Sequence, residues 1–396
     1  MNKSAAFDFI VVGGGIVGTS IAYHLARHKS ATVLLIERDQ IAAGCTARSS
    51  AIIRSHYSIP ANSALAWRTI GILSGFQEYL QDGEAESGFQ GKGYIILGGA
   101  RDAQAMRHNV SMQQGLGVDT RTIPLDEVAR LHPYLRLDDV EVAAYEPRSG
   151  WADPYLTTRS FYRAGKRLGM VSRLNSPVSR LLARGRRIEG VEVDGEKIFA
   201  GHVVTALNVW SNDILRSIDV RLPLAAEKHR LASYRIEEDY PSDLPVVKDL
   251  LSDNKMYFRP ATGNIVLTGG GEAGDVVADP DAYDEGVGLD YIAEQGGRLA
   301  HRLPQFAQAM HVHDWSGLYD VSPDWNPIIG AVEGYAGLTV ACGFSGHGFK
   351  LAPALGEALA AGLLGEPAAR GLECYAPSRF QAGQLLQGAY GVGSIS

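Results

Sequence analysis

Six residues, Gly13-Gly14-Gly15-Ile16-Val17-Gly18, constrain this chain more than any others. They follow Phe7 to Val12, a continuous apolar run rich in β-branched residues, as a buried parallel strand requires. They open Ile16 to Arg27, where helical spacing and the small residues Gly18, Thr19 and Ala22 predict a tightly packed helix. Thr32 to Glu37 then reads as a second buried strand. Strand, turn, helix and strand within about thirty residues make one βαβ unit. The glycines fit Gly-x-Gly-x-x-Gly. Gly13 permits the sharp turn, Gly15 lets a pyrophosphate approach the backbone, and Gly18 lets the helix lie close on the strand. Ile16 and Val17 open the helix, whose free N–H groups and positive end face an anion. Glu37 stands about twenty residues later at the end of the second strand, where an acid bonds a ribose hydroxyl pair. The same carboxylate repels a 2′-phosphate, so NADP is disfavoured although Arg38 is its neighbour. The motif predicts a dinucleotide cofactor and leaves FAD and NAD both open.

At 396 residues the chain is too long for one ordinary core, and two domains are expected. The net charge of -7 argues against a nucleic-acid partner, which would need a basic surface. The three cysteines, Cys45, Cys342 and Cys374, form no CxxC and no metal-ligand spacing, so a reduced compartment and no metal site are expected. The first residues carry no apolar signal core, and Leu351 to Leu364 is too short to span a bilayer and is interrupted by Glu357. These features point to the cytoplasm and to no membrane span.

Beyond the first unit, Gly44 to Arg54 is small and polar and reads as a loop, and Ser63 to Leu80 reads as a helix. Val178 to Ala183 and Arg187 to Val193 look like paired strands, and Lys197 to Ala206 like a strand returning to the first sheet. Leu224 to Thr268 suggests an antiparallel sheet, with a hairpin around Thr262-Gly263. Thr339 to Ala341 is an apolar strand. Gly343 to Gly348 is a second glycine-rich turn, and Phe349 to Leu364 is a helix.

That second turn, Ala341-Cys342-Gly343-Phe344-Ser345-Gly346-His347-Gly348-Phe349-Lys350, resembles the D-amino acid oxidase superfamily of flavoenzymes, the group of sarcosine oxidase, glycine oxidase and the sarcosine and proline dehydrogenases. The likeness runs from Asp8 to about Leu364 and looks nearest to sarcosine oxidase and its relatives. It implies an α/β fold: a Rossmann-type FAD-binding domain with a second, antiparallel-sheet substrate domain, in a glutathione-reductase-like arrangement. Residues 1–85, 146–220 and 325–390 would form the first domain, and 86–145 and 221–324 the second. It also implies FAD, with the isoalloxazine between the 44–54 loop and the 343–350 turn. Gly44, Cys45, Ser49, Ser50, Val178, Asn208 and Trp210 then join the cofactor-binding set, with Gly343, Gly346, His347, Gly348, Phe349 and Lys350. The helix after Gly346 would aim its positive end, with Lys350, at the pyrimidine edge, where the reduced flavin is negative. His347 reads as a hydrogen-bond donor or packing group, and Asn208 either touches FAD or satisfies a turn.

Arg54 and Lys350 match the positions that hold the substrate carboxylate in sarcosine oxidase relatives, a clamp of two cations. Tyr319 and Tyr257 are placed to line the substrate pocket, and Gly317-Leu318-Tyr319 lacks the arginine of glycine oxidase, which favours this clamp. Gly317 and Arg48 stand where relatives carry a cysteine or histidine bound to flavin, so noncovalent FAD is expected. Val266 falls where sarcosine oxidase has its oxygen-activating lysine, which opens a dehydrogenase serving a quinone or another carrier beside an oxidase using oxygen. The implied reaction is hydride transfer from the carbon bearing the amine to flavin N5, on a small, secondary or N-methyl amino acid whose amine binds neutral. The competing readings are a D-amino acid dehydrogenase, a flavin-bearing subunit of a multi-chain enzyme, and a binding protein without redox activity. The electron acceptor and the oligomeric state, including a homo-oligomer, stay open.

Overall fold

The structure, a computed structural model, describes residues 7–366 and 371–391. Its first sheet has eight strands. Phe7–Val12 lies at the centre, parallel to Val33–Ile36 on one side and to Glu196–Thr205 on the other. Val171–Arg173 and Leu338–Cys342 extend the parallel set outward, and Ile328–Ala331 closes one edge antiparallel. Val178–Arg184 and Arg187–Val193 form an antiparallel ribbon joined to Glu196–Thr205. The central strands are buried because helices cover them: Val11 packs in one cluster with Ile21, Leu25, Leu355 and Leu359. Val12 is level with both Ile36 and Thr205, so three strands end together beneath the first glycine turn. Ligands of open α/β sheets bind at such carboxyl ends.

The helices Ile16–Ala26 and Gly348–Leu363 touch where Gly356 meets Ser20. A Cβ on Gly356 would fall 2.2 Å from Ser20 Oγ and 2.8 Å from its carbonyl carbon. Both helices start from glycine-rich turns, so this backbone-to-backbone contact fixes one turn against the other.

The second sheet has nine strands. Ala225–Arg235, Ile265–Gly269, Tyr257–Ala261 and Val246–Asp249 are antiparallel neighbours, and Tyr257–Ala261 and Ile265–Gly269 form the hairpin expected around Thr262-Gly263. Val246–Asp249 pairs parallel with Tyr94–Gly98, which in turn pairs antiparallel with Val142–Glu146. This sheet is therefore mixed rather than purely antiparallel: strands so distant in sequence share no turn that would force opposite directions. Its core gathers Ile95, Val247, Phe258, Val266 and Leu299.

Two elements depart from expectation. The helix over Ser63 to Leu80 is two helices, Pro60–Ser74 and Phe76–Leu80, interrupted at Gly75. Met310–Val321 is a strand of 12 residues that follows Ala225–Arg235 along its length. Its first four residues, Met310 to His313, are exposed, with the apolar Met310 and Val312 facing solvent rather than a core. Among the described residues no helix is long and apolar enough to cross a membrane, and no group of three or more His, Cys, Asp or Glu is placed to hold a metal ion.

Candidate active site

A cavity of about 430 Å³ receives side chains from both sheets. Its walls hold Gly13, Gly15, Ile16, Val17, Glu37 and Arg38 from the first βαβ unit, and Gly44, Cys45, Ser49, Ser50 and Arg54 from the loop that follows. Val178, Asn208 and Trp210 join them, as do Tyr257 and Tyr319 of the second sheet and Gly346, His347, Gly348, Phe349 and Lys350 of the second turn. Gly18 and Gly343 pack behind the wall rather than in it. The two glycine-rich turns thus share one cavity.

The missing Cβ atoms of the first turn have different neighbours. On Gly13, at φ +115°, a Cβ would sit 2.3 Å from Ala206 O; on Gly18 it would sit 1.9 Å from Gly13 O. On Gly14 it would meet Glu37 and Ile41 at 2.9 Å. On Gly15 only Thr46 Oγ1 lies within 4 Å, at 3.1 Å. Three glycines are therefore filled by protein, and Gly15 alone of the four faces open space. The helix start carries no acidic residue in its first turn. Ile16 N donates to Thr46 Oγ1 (3.1 Å), which places at the helix start a hydroxyl that the motif does not specify. Glu37 accepts from Gly14 N (2.6 Å) and Asp39 N (2.9 Å), one backbone donor on each oxygen. A carboxylate has about four lone-pair sites, so capacity for a ribose remains.

At the rim, the Arg38 guanidinium lies 4.0 Å from the Trp210 ring centre and pairs with Asp281 at 3.0 Å. Trp210 Nε1 also donates to Asp281 (2.9 Å). Asn208 adopts φ +50°, and its side chain accepts from Val209 N (2.8 Å) and from Cys45 Sγ (3.1 Å). It satisfies a turn while lining the cavity. The Cys45 thiol is pushed up to about 12 by burial and by the Asp320 carboxylate. A Cβ on Gly317 would sit 2.9 Å from Arg48 Cβ, so Arg48 fills the space a side chain at 317 would need. Arg48 itself is engaged by Tyr283 Oη (2.9 Å) and Glu285 (2.6 Å).

At the inner end Arg54 is 5% exposed; it donates to His56 O and lies 4.2 Å from the Tyr57 ring centre. Tyr57 Oη bonds His347 Nδ1 (3.1 Å), which links the first loop to the second turn. Burial, with Lys350 and Arg54 nearby, holds the His347 imidazole well below its ordinary range, so it stays neutral. Lys350 Nζ donates to Gly346 O (3.1 Å), and burial with Arg54 and Lys248 drives its ammonium well down. Gly346, at φ +83°, leaves room for the Tyr319 ring, which would lie 2.3 Å from a Cβ there. Tyr319 stacks on His229 with centroids 3.8 Å apart and shares a side-chain hydrogen bond with Tyr257.

Besides Thr46, three residues that shape the inner end of the cavity escaped the sequence reading. Asp320 accepts from Gly343 N (2.6 Å) and Phe344 N (3.1 Å), fixing the second turn, and burial raises its carboxyl to about 7. His229 backs Tyr319. Lys248 comes from Val246–Asp249 and is buried. Val266, considered as the place of a missing lysine, lies fully buried in the core of the second sheet, outside the cavity wall. A cation does line the cavity from this sheet, but from a different strand.

A dinucleotide carrying a flavin fits these residues: an open glycine backbone at a helix start, an acid beside it, and a second helix start joined to the first in one continuous cavity. Comparison with known proteins gives the same answer. The model of the family described as DAO, FAD dependent oxidoreductase, matches residues 8–362. FAD-dependent oxidoreductase domain-containing protein 1 of Bos taurus is 28% identical over 423 residues, spanning 96% of this chain and 86% of that one. Sarcosine oxidase subunit beta of an Arthrobacter species is 26% identical, spanning 96% of this chain and 93% of that one. Among solved structures, L-proline dehydrogenase from P. horikoshii superposes with a TM-score of 0.87 at 27% identity, over 97% of this chain and 100% of that one. With an α/β fold, two glycine turns on one cavity and a family match over nearly its whole length, the chain belongs to the DAO family of FAD-dependent oxidoreductases.

Proposed function

We propose that the protein oxidises the C–N bond of a small secondary or N-methyl amino acid, with FAD held noncovalently. The observation that carries this reading is that Arg54 and Lys350 open on the same cavity as both glycine turns. A guanidinium fork and a compact ammonium together hold and orient one carboxylate. Similarity to proteins named for sarcosine and L-proline supports the amine class, since each compound joins one carboxylate to a secondary amine.

Gly15, Ile16 N, Val17 N and Thr46 would hold the pyrophosphate, and Glu37 the ribose. Arg38, Val178 and Trp210 would hold the adenosine end. Gly44, Cys45, Ser49, Ser50, Asn208 and the Gly346 to Lys350 turn would hold the flavin. FAD, when bound, supplies the two-electron acceptor for the hydride. Arg54 and Lys350 place the amine-bearing carbon, and their field disfavours an ammonium, so the amine binds with its lone pair free. Burial and its cationic neighbours press the Lys350 ammonium well down, and a carboxylate arriving beside it acts in the opposite direction, favouring the charged form. Tyr257 and Tyr319 wall the pocket against water. His347 is neutral and tied to Tyr57, so no base is assigned to it. Noncovalent attachment is supported by Gly317 and Arg48, neither of which offers a nucleophile for bond formation.

Anaerobic mixing with sarcosine, proline and D-amino acids is the test. Bleaching by the secondary amines supports the reading; bleaching by D-amino acids alone favours a D-amino acid dehydrogenase. Arg54→Ala raises the Michaelis constant of the best substrate on the order of 100-fold, the loss of a charged, bidentate contact. An unchanged constant would remove Arg54 from the clamp. A second reading, a flavin-bearing subunit of a multi-chain enzyme, is favoured by similarity to a protein named subunit beta. Turnover by the isolated chain excludes it.

A further inference from the structure

Residues 272–286 leave the second sheet and return to it, and none of them is buried. They join Ile265–Gly269 to the helix Leu289–Arg302, a long connection for a compact fold, and such connections commonly serve a site. Gly270 and Gly271 precede them, and Gly286 and Gly288 end them, the last at φ +87°, so the backbone can swing at both ends. One short strand, Asp275–Val277, ties them to the sheet beside Ala226–Lys228. Beyond that strand the segment is held by charge.

It carries Glu272, Asp275, Asp279, Asp281, Asp284 and Glu285 and no lysine or arginine. Basic groups meet it from two sides. From the second sheet Arg230 pairs with Asp275, and Lys228 Nζ donates to Gly286 O (2.5 Å). From the opposite wall of the cavity Arg38 pairs with Asp281 (3.0 Å), whose carboxylate also accepts from Trp210 Nε1 (2.9 Å). Arg48 pairs with Glu285 (2.6 Å) and donates to Tyr283 Oη (2.9 Å). Arg38, Arg48 and Trp210 line the cavity, and so do Glu272 and Asp281. Glu272 acts on Lys248, whereas Asp281 reaches Arg38, so the segment runs along the cavity and bridges it.

Both bridges stand in solvent: Arg38 and Asp281 are 46% and 58% exposed, Arg48 and Glu285 34% and 59%. Pairs in that setting are individually weak and are screened by salt. A segment with no buried residue, held by such pairs, opens at little cost. Closed, it blocks the way out of the cavity. A cofactor without a covalent bond to the chain depends on such a barrier, because its retention is set by its dissociation rate.

We propose that residues 272–286 are a lid on the FAD site, latched to the opposite wall by Asp281 and Glu285. Open, it admits the cofactor. Closed, it retains it, and Asp281 holds Arg38 and Trp210 in place at the adenosine end. The inference goes beyond the amine reading and does not rest on it.

The test compares the FAD-loaded wild type with the double variant Asp281→Asn, Glu285→Gln, following FAD release by recovery of its fluorescence on dilution. The variant releases FAD on the order of 10-fold faster, the loss of two exposed ion pairs and one hydrogen bond. Salt raised from about 50 mM to about 500 mM speeds release from the wild type more than from the variant, since the variant has no latch left to screen. Thermal unfolding of the two apoproteins coincides, because no buried residue is touched. In the wild type, a protease that cuts after acidic residues cleaves within 272–286 quickly in the apoprotein and slowly with FAD bound. Equal release rates, or equal salt dependence, in the two proteins overturn the latches, as does an apoprotein variant that unfolds well below the wild type. Cleavage of the segment at one rate with and without FAD overturns the lid, and this arm stands even if the variant fails to fold. No arm uses an amine, so failure here leaves the amine reading as it was.

Discussion

Replacing Gly15 and Gly18 separately by alanine should separate a ligand glycine from a packing glycine within one motif. Both sit in the same turn, and neither has positive φ, so space decides the outcome. A Cβ on Gly18 lands 1.9 Å from the carbonyl oxygen of Gly13 and 3.0 Å from its carbon, both backbone atoms of the turn that leaves the central strand. Relief requires moving the helix Ile16–Ala26, which is itself locked to Gly348–Leu363 at Gly356. Overpacking of this kind costs on the order of 3 kcal/mol, a large fraction of a typical domain's stability of about 5–15 kcal/mol. A Cβ on Gly15 meets only Thr46 Oγ1, at 3.1 Å, a side chain that can yield by a few tenths of an ångström. The cost to the empty protein is at most the Ile16 N–Thr46 hydrogen bond, about 1 kcal/mol. The methyl then occupies the cavity side of the turn, where the pyrophosphate would approach, and removes about one charge-assisted hydrogen bond, about 1.5–3 kcal/mol or roughly 10- to 150-fold in FAD affinity. Thermal unfolding by circular dichroism measures the first effect, and quenching of FAD fluorescence on titration into apoprotein the second. Gly18→Ala is expected to lose stability. Gly15→Ala is expected to keep stability and lose FAD affinity. A stable Gly15→Ala variant that binds FAD like the wild type would refute the assignment of Gly15 to the pyrophosphate.

Acid precipitation should release the flavin entirely into the supernatant, because Arg48 fills the space beside Gly317; yellow colour in the pellet would contradict noncovalent binding. Arg302→Ala should cost about 3–5 kcal/mol in urea unfolding, because Arg302 is fully buried and its loss strands the buried carboxylate of Asp249. A loss below about 1 kcal/mol would show that this ion pair matters little. Lys248 should also mark the pH dependence of stability in the ligand-free protein. Its folded ammonium is lowered to about 7 from an ordinary 10.5, so between these values the unfolded chain holds the extra proton and stability rises with pH. The slope from this one group is at most about 1.4 kcal/mol per pH unit, and Lys248→Met should flatten it. Identical slopes in the two proteins would mean that Lys248 is charged in the fold across that window.

The first βαβ unit and the second glycine turn were legible in sequence because their signals are local. A buried parallel strand must be apolar throughout, and a close backbone contact must be glycine. The family resemblance rested on the same short stretches. Glu37, Arg54, Lys350 and the two tyrosines could be singled out because the motif and the resemblance tied them to chemistry. Lys248, Asp320, His229 and Thr46 carried no such mark. Lys248 sits in Val-Val-Lys-Asp, with no motif around it, and pairing with Tyr257 on one side and Tyr94–Gly98 on the other buries it.

By itself, then, the sequence determined the α/β class and the two glycine-rich turns, because each depends on residues within reach of one turn or one strand, while the flavin entered through the family resemblance that the second turn carries. The tertiary structure alone decided that Arg48 closes the space beside Gly317 and that Lys248 joins Arg54 and Lys350 on the cavity wall. Those facts depend on strands far apart in sequence coming into register, and the apolar pattern that drives such pairing does not record which polar side chains it will bring face to face.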